Sequence, residues 1–517
     1  MNIISNNSRN FIALNKLLDK VHYKLLDEIK FDFEYSSVDI AHRISQLIAL
    51  SISREFSRQS ILSSKKGGKY FFEKLPVRLK CNDILIDTVS GSTSPFAILF
   101  IFNTIRFIAL WLYVLCLFIL SSFFCVKCFG KATLIYGLPN DSSDNKSINN
   151  LEKFCLNTGN DVISKSSAYV IQFAKKIISK RKFVFIYSKI PVLALLSSNI
   201  MVHDEKIFFL KKHFYLLVNY FYLALRKPII CLLWRDFALH SSVESLNNRN
   251  LIDSIILTNS NTSSQDLWMN HLPNRNFKTY FALYSQNTFN FTFNDDPVYA
   301  TTTEHKFLKA DLIWIWNKEY KLSLMNDGVN CSTKVIEPIL WYLPERKVNL
   351  KKNKKIKISI FDVTPFDKKT LLGIGAEFSY YNTILMCKFL DDIISATRII
   401  EASDQIEFEL TLKHKRKREK RHDQKYFEHI HKLHESHSFF KLENHDVNLF
   451  NFIGESDIII SIPYSSPVIL AHTLKIPAFF YDPGNQLIFP DRYFPKSIVK
   501  VAKLENLVNE IRRKLPL

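Results

Sequence analysis

Glycine is scarce in this chain, 11 of 517 residues, which argues against a glycine-rich nucleotide loop as the main phosphate-holding device. Acidic residues are in deficit as well: 49 Asp and Glu against 69 Lys and Arg leave a formal charge of +20. That balance selects anionic partners, and nucleic acid, an anionic membrane leaflet and phosphorylated small molecules all qualify. The first thirty residues carry polar and charged groups throughout and lack the apolar core of a cleavable signal peptide. The eight cysteines are scattered, with Cys116, Cys231 and Cys387 inside apolar runs, the pattern of reduced, buried thiols in a cytosolic compartment. Cys125 and Cys128 make one CxxC, but no second pair or histidine cluster completes four zinc ligands, so no metal site is expected.

What is abundant is apolar surface: 47% of residues are hydrophobic and 43 are Phe. Large cores are therefore affordable, and the length predicts two or three domains. Phe107 to Cys125, FIALWLYVLCLFILSSFFC, contains no charge and as a helix would reach ~28 Å, near the hydrocarbon thickness of a bilayer. Basic residues flank it on both sides, including Lys74 and Arg78 before it and Lys127 and Lys131 after it, without the asymmetry of a simple spanning helix. Membrane association, spanning or partly inserted, is the expectation; a buried core helix is the alternative.

Short apolar runs then alternate with amphipathic stretches. Thr133–Tyr136, Phe183–Tyr187, Ile229–Leu233, Ile255–Leu257, Leu312–Ile315 and Val335–Ile336 read as buried strands. The pattern predicts an α/β layered fold with a largely parallel sheet. A Lys-rich stretch, Pro344 to Lys355, reads as an interdomain hinge. Beyond it Ile356–Ile360 heads a strand ending at Asp362, Tyr380–Ile400 reads as a long helix, and Ile406–Leu412 alternates with a period of two. Asp457–Ile462 and Ala478–Tyr481 complete the predicted strands. The expected boundaries are 1–130 for a helical region, 131–345 for one α/β domain and 346–517 for a second.

The segment from Asp457 to Pro483, DIIISIPYSSPVILAHTLKIPAFFYDP, reads as strand, tight turn, helix, strand. Ser466 is the expected N-cap and Pro467 the first helical residue. Such a turn presents backbone N–H groups and the positive helix end beside two hydroxyls, which suits a phosphate or diphosphate. Equally, Ser465 and Ser466 could do no more than cap the helix.

The turn resembles the signature of the bacterial polysaccharide biosynthesis PFTS motif family, whose Pro-Phe-Thr-Ser tetrad is followed by Tyr-Asp-Pro. Here the tetrad is Pro463, Tyr464, Ser465 and Ser466, and the tripeptide is Tyr481, Asp482 and Pro483. Two tetrad positions differ, both conservatively, and both terminal hydroxyls remain. The resemblance runs from about Thr133 to the C-terminus, weakly in the first half. It implies a GT-B-like arrangement, two Rossmann-like domains facing across a cleft, preceded by a helical region with an apolar membrane-associating segment. It also implies a glycosyltransferase of surface polysaccharide synthesis, working at the cytoplasmic face of the bacterial inner membrane.

On that reading Pro463, Ser465, Ser466 and Asp482 hold the donor. The basic run Lys413 to His422, KHKRKREKRH, follows a strand's carboxyl end, where open α/β sheets bind ligands. It is similar to the basic motif such transferases present to a nucleotide-sugar phosphate, so Lys413, Lys415 and Arg416 join the donor set; a solvated basic helix start is the alternative. No nucleic-acid-binding motif accompanies the run, and nucleic acid is not an expected partner. For the acceptor proton, Asp236 in CLLWRDF is the first candidate, at the end of the Ile229–Leu233 strand with Arg235 keeping it ionised. Glu377, after Gly373-Ile374-Gly375, and Asp362 are rivals. The expected partners are a nucleotide-activated sugar, a glycan or lipid-linked acceptor and an anionic membrane surface, with no cofactor. A CDP-alcohol-type phosphotransferase and a non-catalytic scaffold of the same pathway are the alternatives.

Overall fold

In a computed structural model of the chain, two all-parallel sheets carry the fold. The structure describes residues 18–62 (without 24, 28 and 30–34), 79–80, 85–86, 94–123, 130–137, 168–172, 184–188, 190–197, 201, 203–258, 265–283, 292–293, 305–336, 355–367, 370, 380–414, 418–445, 447, 449–463, 465–489, 495–496 and 498–515. The predicted hinge, apart from Lys355, lies outside the described residues, as do Cys125, Cys128, Gly373, Gly375, Glu377, Lys415, Arg416 and Tyr464.

Two long helices come first, α1 (Ser37–Leu62) and α2 (Ser94–Phe123). The first sheet contains β1 (Ala132–Tyr136), β2 (Ala168–Gln172), β3 (Val184–Ser188), β4 (Ile252–Thr258), β5 (Lys278–Ala282), β6 (Leu312–Ile315) and β7 (Thr333–Val335). Between β3 and β4 lie α3 (Pro191–Ser197), α4 (His203–Arg226) and α5 (Trp234–Asn248), and between β4 and β5 the short α6 (Leu267–His271). The strands are ordered β7-β6-β5-β4-β1-β2-β3. Every described residue of β1 is buried, because helices cover both faces of a parallel sheet and its strands become continuous apolar runs.

The second sheet contains β8 (Lys355–Phe361), β9 (Glu407–Lys413), β10 (Phe440–Glu443), β11 (Ile458–Ser461), β12 (Ala478–Asp482) and β13 (Val499–Ala502). Its crossovers include α7 (Thr383–Asp404), α8 (Gln424–Ser436) and α9 (Ser466–Thr473), and α10 (Leu504–Lys514) closes the chain against α7. The order is β10-β9-β8-β11-β12-β13. In both sheets the first strand is central: two successors lie to one side and the rest to the other, the doubly wound 3-2-1-4-5-6 order. The loop after β5 and the loop after β12 meet in a two-stranded antiparallel ladder, with Phe293 opposite Leu487. The carboxyl edges of the two sheets are thereby tied together.

Sequence and structure part company at Ile229–Leu233. This apolar run is a 3-10 helix, Pro228–Leu233, which runs directly into α5. A short apolar run has the same signature whether it is a buried strand or a buried helical turn, and here Pro228 at the start favours the helix. α5 is almost wholly buried although it reads SSVESLNN at its end. Its serines present little bulk, which lets α2 and α4 both lie against it.

The buried polar groups are concentrated in this first half. His213 of α4 stacks on Trp111 of α2, with ring centroids 4.6 Å apart and 3° between the planes. Trp111 Nε1 donates to His213 O at 2.9 Å, and His213 Nε2 lies 3.1 Å from Trp111 O. Burial pushes the ring down to about 4. It also pushes His42 down to about 3, helped by Lys309, and His240 down to about 3, helped by Lys212.

A histidine whose folded pKa is depressed adds stability that is present above its unfolded value near 6.5 and is lost as pH falls. At pH 5 each of the three gives up about 2 kcal/mol, while Asp236, whose pKa burial raises, has the opposite sign and offsets part of the loss. The protein is therefore expected to be several kcal/mol less stable at pH 5 than at pH 7. Urea unfolding at the two values measures this, and equal midpoints would contradict neutral, buried histidines.

Candidate functional site

Where a sheet's first strand sends its successors to opposite sides, the crossovers diverge and leave a crevice at the carboxyl ends of the strands. In the second sheet that point lies between β8 and β11. The strand register places Lys413 opposite Phe361, and Phe361 opposite Ser461, so the three form one row. With strands ~4.8 Å apart, Lys413 and Ser461 are separated by roughly 10 Å along the same edge. The basic strand end and the serine turn thus share one face of the sheet.

Around the row, chemistry collects. Asp362, immediately after β8, is buried and accepts the Tyr426 hydroxyl on Oδ2 at 2.8 Å. His414, immediately after β9, brings Nδ1 to 3.6 Å from the same oxygen, with its side chain 17% exposed. Among the described residues Asp362 Oδ1 and the hydroxyl of buried Thr364 have no hydrogen-bond partner. Unpaired buried acceptors are costly and rare, and they mark places where a ligand or water completes the set.

The serine turn differs in detail from its sequence reading. Ser465, not Ser466, is the N-cap of α9, and Pro467 is its second residue. The Ser465 hydroxyl does not cap; it turns back toward β11, donating to Ile462 O at 3.0 Å and touching Ser461 Oγ. Ser461 in turn donates to Phe361 O at 3.1 Å. Two hydroxyl protons serve three contacts, so the pair locks the turn onto β8. The positive end of α9 is left without a side-chain cap from Ser465. Pro463 is buried, and its carbonyl accepts the Tyr381 hydroxyl at 2.8 Å.

Two residues of the expected donor set have other work. Lys413 is buried, and its ammonium donates to His445 O at 2.9 Å. Asp482, at the end of β12, is fully buried. It accepts Tyr380 OH at 2.8 Å and the amides of Gln486 and Leu487 at 2.8 and 2.9 Å, with Lys500 Nζ 3.7 Å away. It fixes the Pro483–Gln486 turn, where a side chain on Gly484 would press within 3.0 Å of Leu385. Arg418 to Arg421 are exposed.

Asp236 requires a correction. It follows a 3-10 helix and not a strand, and its ion-pair partner is Arg43 of α1, 3.5 Å away, while Arg235 binds Asp266 at 3.3 Å. Leu267 N–H donates to its carboxylate at 2.5 Å. Burial raises its pKa to about 6, against the opposite pull of Arg43. Only 1% of Asp236 is exposed, so in this conformation its carboxylate ties α5 to α6 and α1 and no substrate hydroxyl reaches it. Asp362 with His414, and Arg43 with Asp266, are pairings that no local spacing announces, since their members are 52 and 223 residues apart. Among the described residues no group of three or more His, Cys, Asp or Glu is placed to hold a metal ion.

These roles separate in stability. Asp482→Ala leaves several buried donors unpaired and should cost ~3 kcal/mol, whereas Ser465→Ala removes one member of an over-subscribed pair and should cost ~1 kcal/mol or less. Equal urea midpoints for the two variants would contradict this division of labour.

Solved structures with similarity to the chain share little sequence with it. A trehalose-6-phosphate synthase is 12% identical, with 75% of this chain and 91% of that chain covered at a TM-score of 0.38. An α,α-trehalose-phosphate synthase (UDP-forming) from Burkholderia vietnamiensis is 7% identical, with 76% and 90% covered at 0.36. The wall teichoic acid polymerase TagF is 10% identical, with 81% and 88% covered at 0.37. No curated protein matches the sequence. The model of one family does match, over residues 208–508, which takes in most of α4, the serine turn and all of the second sheet. On a match spanning more than half of its length, the chain belongs to the polysaccharide biosynthesis PFTS motif protein family.

Proposed function

We propose that this protein transfers a sugar from a nucleotide-activated donor to a glycan or lipid-linked acceptor of bacterial surface polysaccharide, at the cytoplasmic face of the inner membrane. The donor sits at the β8–β11 switch point. One observation carries the reading: two buried oxygens, on Asp362 and Thr364, have no hydrogen-bond partner among the described residues and lie at that carboxyl edge. The start of α9 turns the positive end of its helix dipole toward the phosphates. Asp362 Oδ1 can only accept, so it suits a ribose or sugar hydroxyl, and Thr364 suits another. His414, 3.6 Å from Asp362, faces the charge that develops on the departing phosphate, and Lys415 and Arg416, next in the chain, are proposed to add to it.

In the transfer, the acceptor oxygen bonds to the anomeric carbon while the bond from that carbon to the phosphate oxygen breaks. The nucleotide leaves with the bonding electron pair, and the acceptor proton passes to a carboxylate. Glu377 is the proposed base, since Asp236 is enclosed; it precedes Tyr380 and Tyr381, which are anchored to Asp482 and to the motif carbonyl of Pro463. Residues 131–345 form the acceptor domain and 346–517 the donor domain of a GT-B-like pair. The ladder between Thr292–Phe293 and Leu487–Ile488 supports a shared cleft, because it joins carboxyl-edge loops of both sheets.

A preferred nucleotide among CMP, CDP, UDP and GDP should raise the thermal midpoint by roughly 5 °C at saturating concentration. His414→Gln should weaken that nucleotide about tenfold, and Glu377→Gln should cut turnover ~100-fold or more with the melting shift intact. Asp236→Asn should leave turnover within about threefold. No shift with any nucleotide would overturn the enzyme reading in favour of a scaffold, and transfer of a phospho-alcohol in place of a sugar would establish the phosphotransferase.

A further inference from the structure

We infer that the α2–α4 pair docks in the plane of an anionic bilayer and enters one leaflet without crossing it. Ile98–Ser121 of α2 is long and apolar enough to span, with a mean hydropathy of 2.1, yet about a fifth of it (22%) is buried against protein. The buried part is a single stripe, Asn103, Phe107, Trp111, Val114 and Phe118, at helical spacing. Phe107 stacks on Tyr220 at 3.8 Å and Phe118 on Phe209 at 4.4 Å, so α2 and α4 lie side by side and antiparallel. The Trp111–His213 clasp sits midway between them.

The opposite faces of both helices are apolar and bare. On α2, Ile101, Ile105 and Leu112 are exposed; on α4, Phe214, Val218 (66%) and Leu225 (73%) are. From Ile98 to Leu120 this face runs ~33 Å along the helix, beyond the size of scattered surface hydrophobics on a soluble domain. Cations accompany it. Arg106, within α2, stacks over Phe102 at 3.9 Å, and Arg226, at the end of α4, stacks over Tyr222 at 4.4 Å with Lys227 exposed beside it. Exposed Lys211 lies within α4, while Asp204 and Glu205 are confined to its first turn, where Glu205 pairs with Arg249. An apolar plane edged by Arg and Lys fits the headgroup–acyl boundary of an anionic leaflet, cations to the phosphates and aliphatics below them.

Spanning is disfavoured by the same contacts. If α2 crossed the bilayer while packed, α4 would carry Lys206, Lys211 and Lys212 into hydrocarbon, where charges are costly. If it crossed alone, it would break the clasp and uncover the α4 rings, Phe209 and Tyr220, that its stripe packs against. This inference specifies the membrane partner of the proposed function and does not depend on which nucleotide the other edge holds.

The test is co-sedimentation of the full chain with vesicles of phosphatidylcholine alone and of phosphatidylcholine with one-third phosphatidylglycerol. Binding should be at least ~10-fold stronger with the anionic lipid and fall steeply with salt. Alkaline carbonate should release the bound protein. Val218→Glu with Leu225→Glu, both fully surface changes, should reduce binding at least tenfold while the nucleotide-induced melting shift and the melting temperature persist. Carbonate-resistant binding would establish a span, and equal binding to both vesicles or undiminished binding by the double variant would equally overturn in-plane docking. Lost vesicle binding with a retained nucleotide shift sinks nothing but the docking; the reverse pattern sinks nothing but the donor site.

Discussion

The position of β8 at the centre of its sheet is the constraint on which the rest depends. Because β9 joins it on one side and β11 on the other, Phe361 is held between Lys413 and Ser461, and its carbonyl receives both the Ile462 amide and the Ser461 hydroxyl, each at 3.1 Å. Residues from three distant stretches of chain are then forced onto one edge. The side chains that follow, Asp362 and His414, meet for no reason but that registry. A one-residue slip of β9 would turn His414 to the opposite face of the sheet and dissolve the pair.

A second economy appears in the first half. α5 is polar in sequence yet buried; its small side chains let α2 and α4 approach, and some of its polar groups find partners, as Ser241 does with His213 at 2.9 Å and His240 with Tyr35 at 2.6 Å. The same packing divides α2 into two faces, one in the protein interior and one exposed.

The strand pattern was legible where burial on both faces produced a continuous apolar run, as at Leu312–Ile315, Ile255–Leu257 and Asp457–Ile462, but Lys278–Ala282 (KTYFA), whose run is shorter and polar at its start, was not read as a strand. It failed at Ile229–Leu233, since an apolar pentamer has no period with which to tell a strand from a helical turn. The serine turn was visible as a strand–turn–helix, but the direction of the Ser465 hydroxyl was not, because it depends on Ser461 and the β8 backbone and not on the helix it precedes. Asp236 was found as an acid with an arginine neighbour in sequence; its actual partner, Arg43, comes from a helix nearly two hundred residues earlier. Charge partners are tertiary facts, and adjacency in the chain is weak evidence for them.

The scarcity of glycine finds its explanation at α9. Gly-rich loops hold phosphates by exposing main-chain N–H groups in conformations that side chains disfavour. Here Ser465 adopts ordinary extended angles, φ −118° and ψ 145°, and Pro467 sets the entry to the helix, so no left-handed residue is needed. The Ser465 hydroxyl is drawn away from the helix into the Ser461–Ser465 lock, and the turn becomes rigid by bonding to the strand behind it. Threonine at this position would place the same hydroxyl on a side chain whose rotamer is further restricted, so the lock asks for a hydroxyl and not for one residue. That is the physical sense in which a Pro-Tyr-Ser-Ser tetrad can do what a Pro-Phe-Thr-Ser tetrad does.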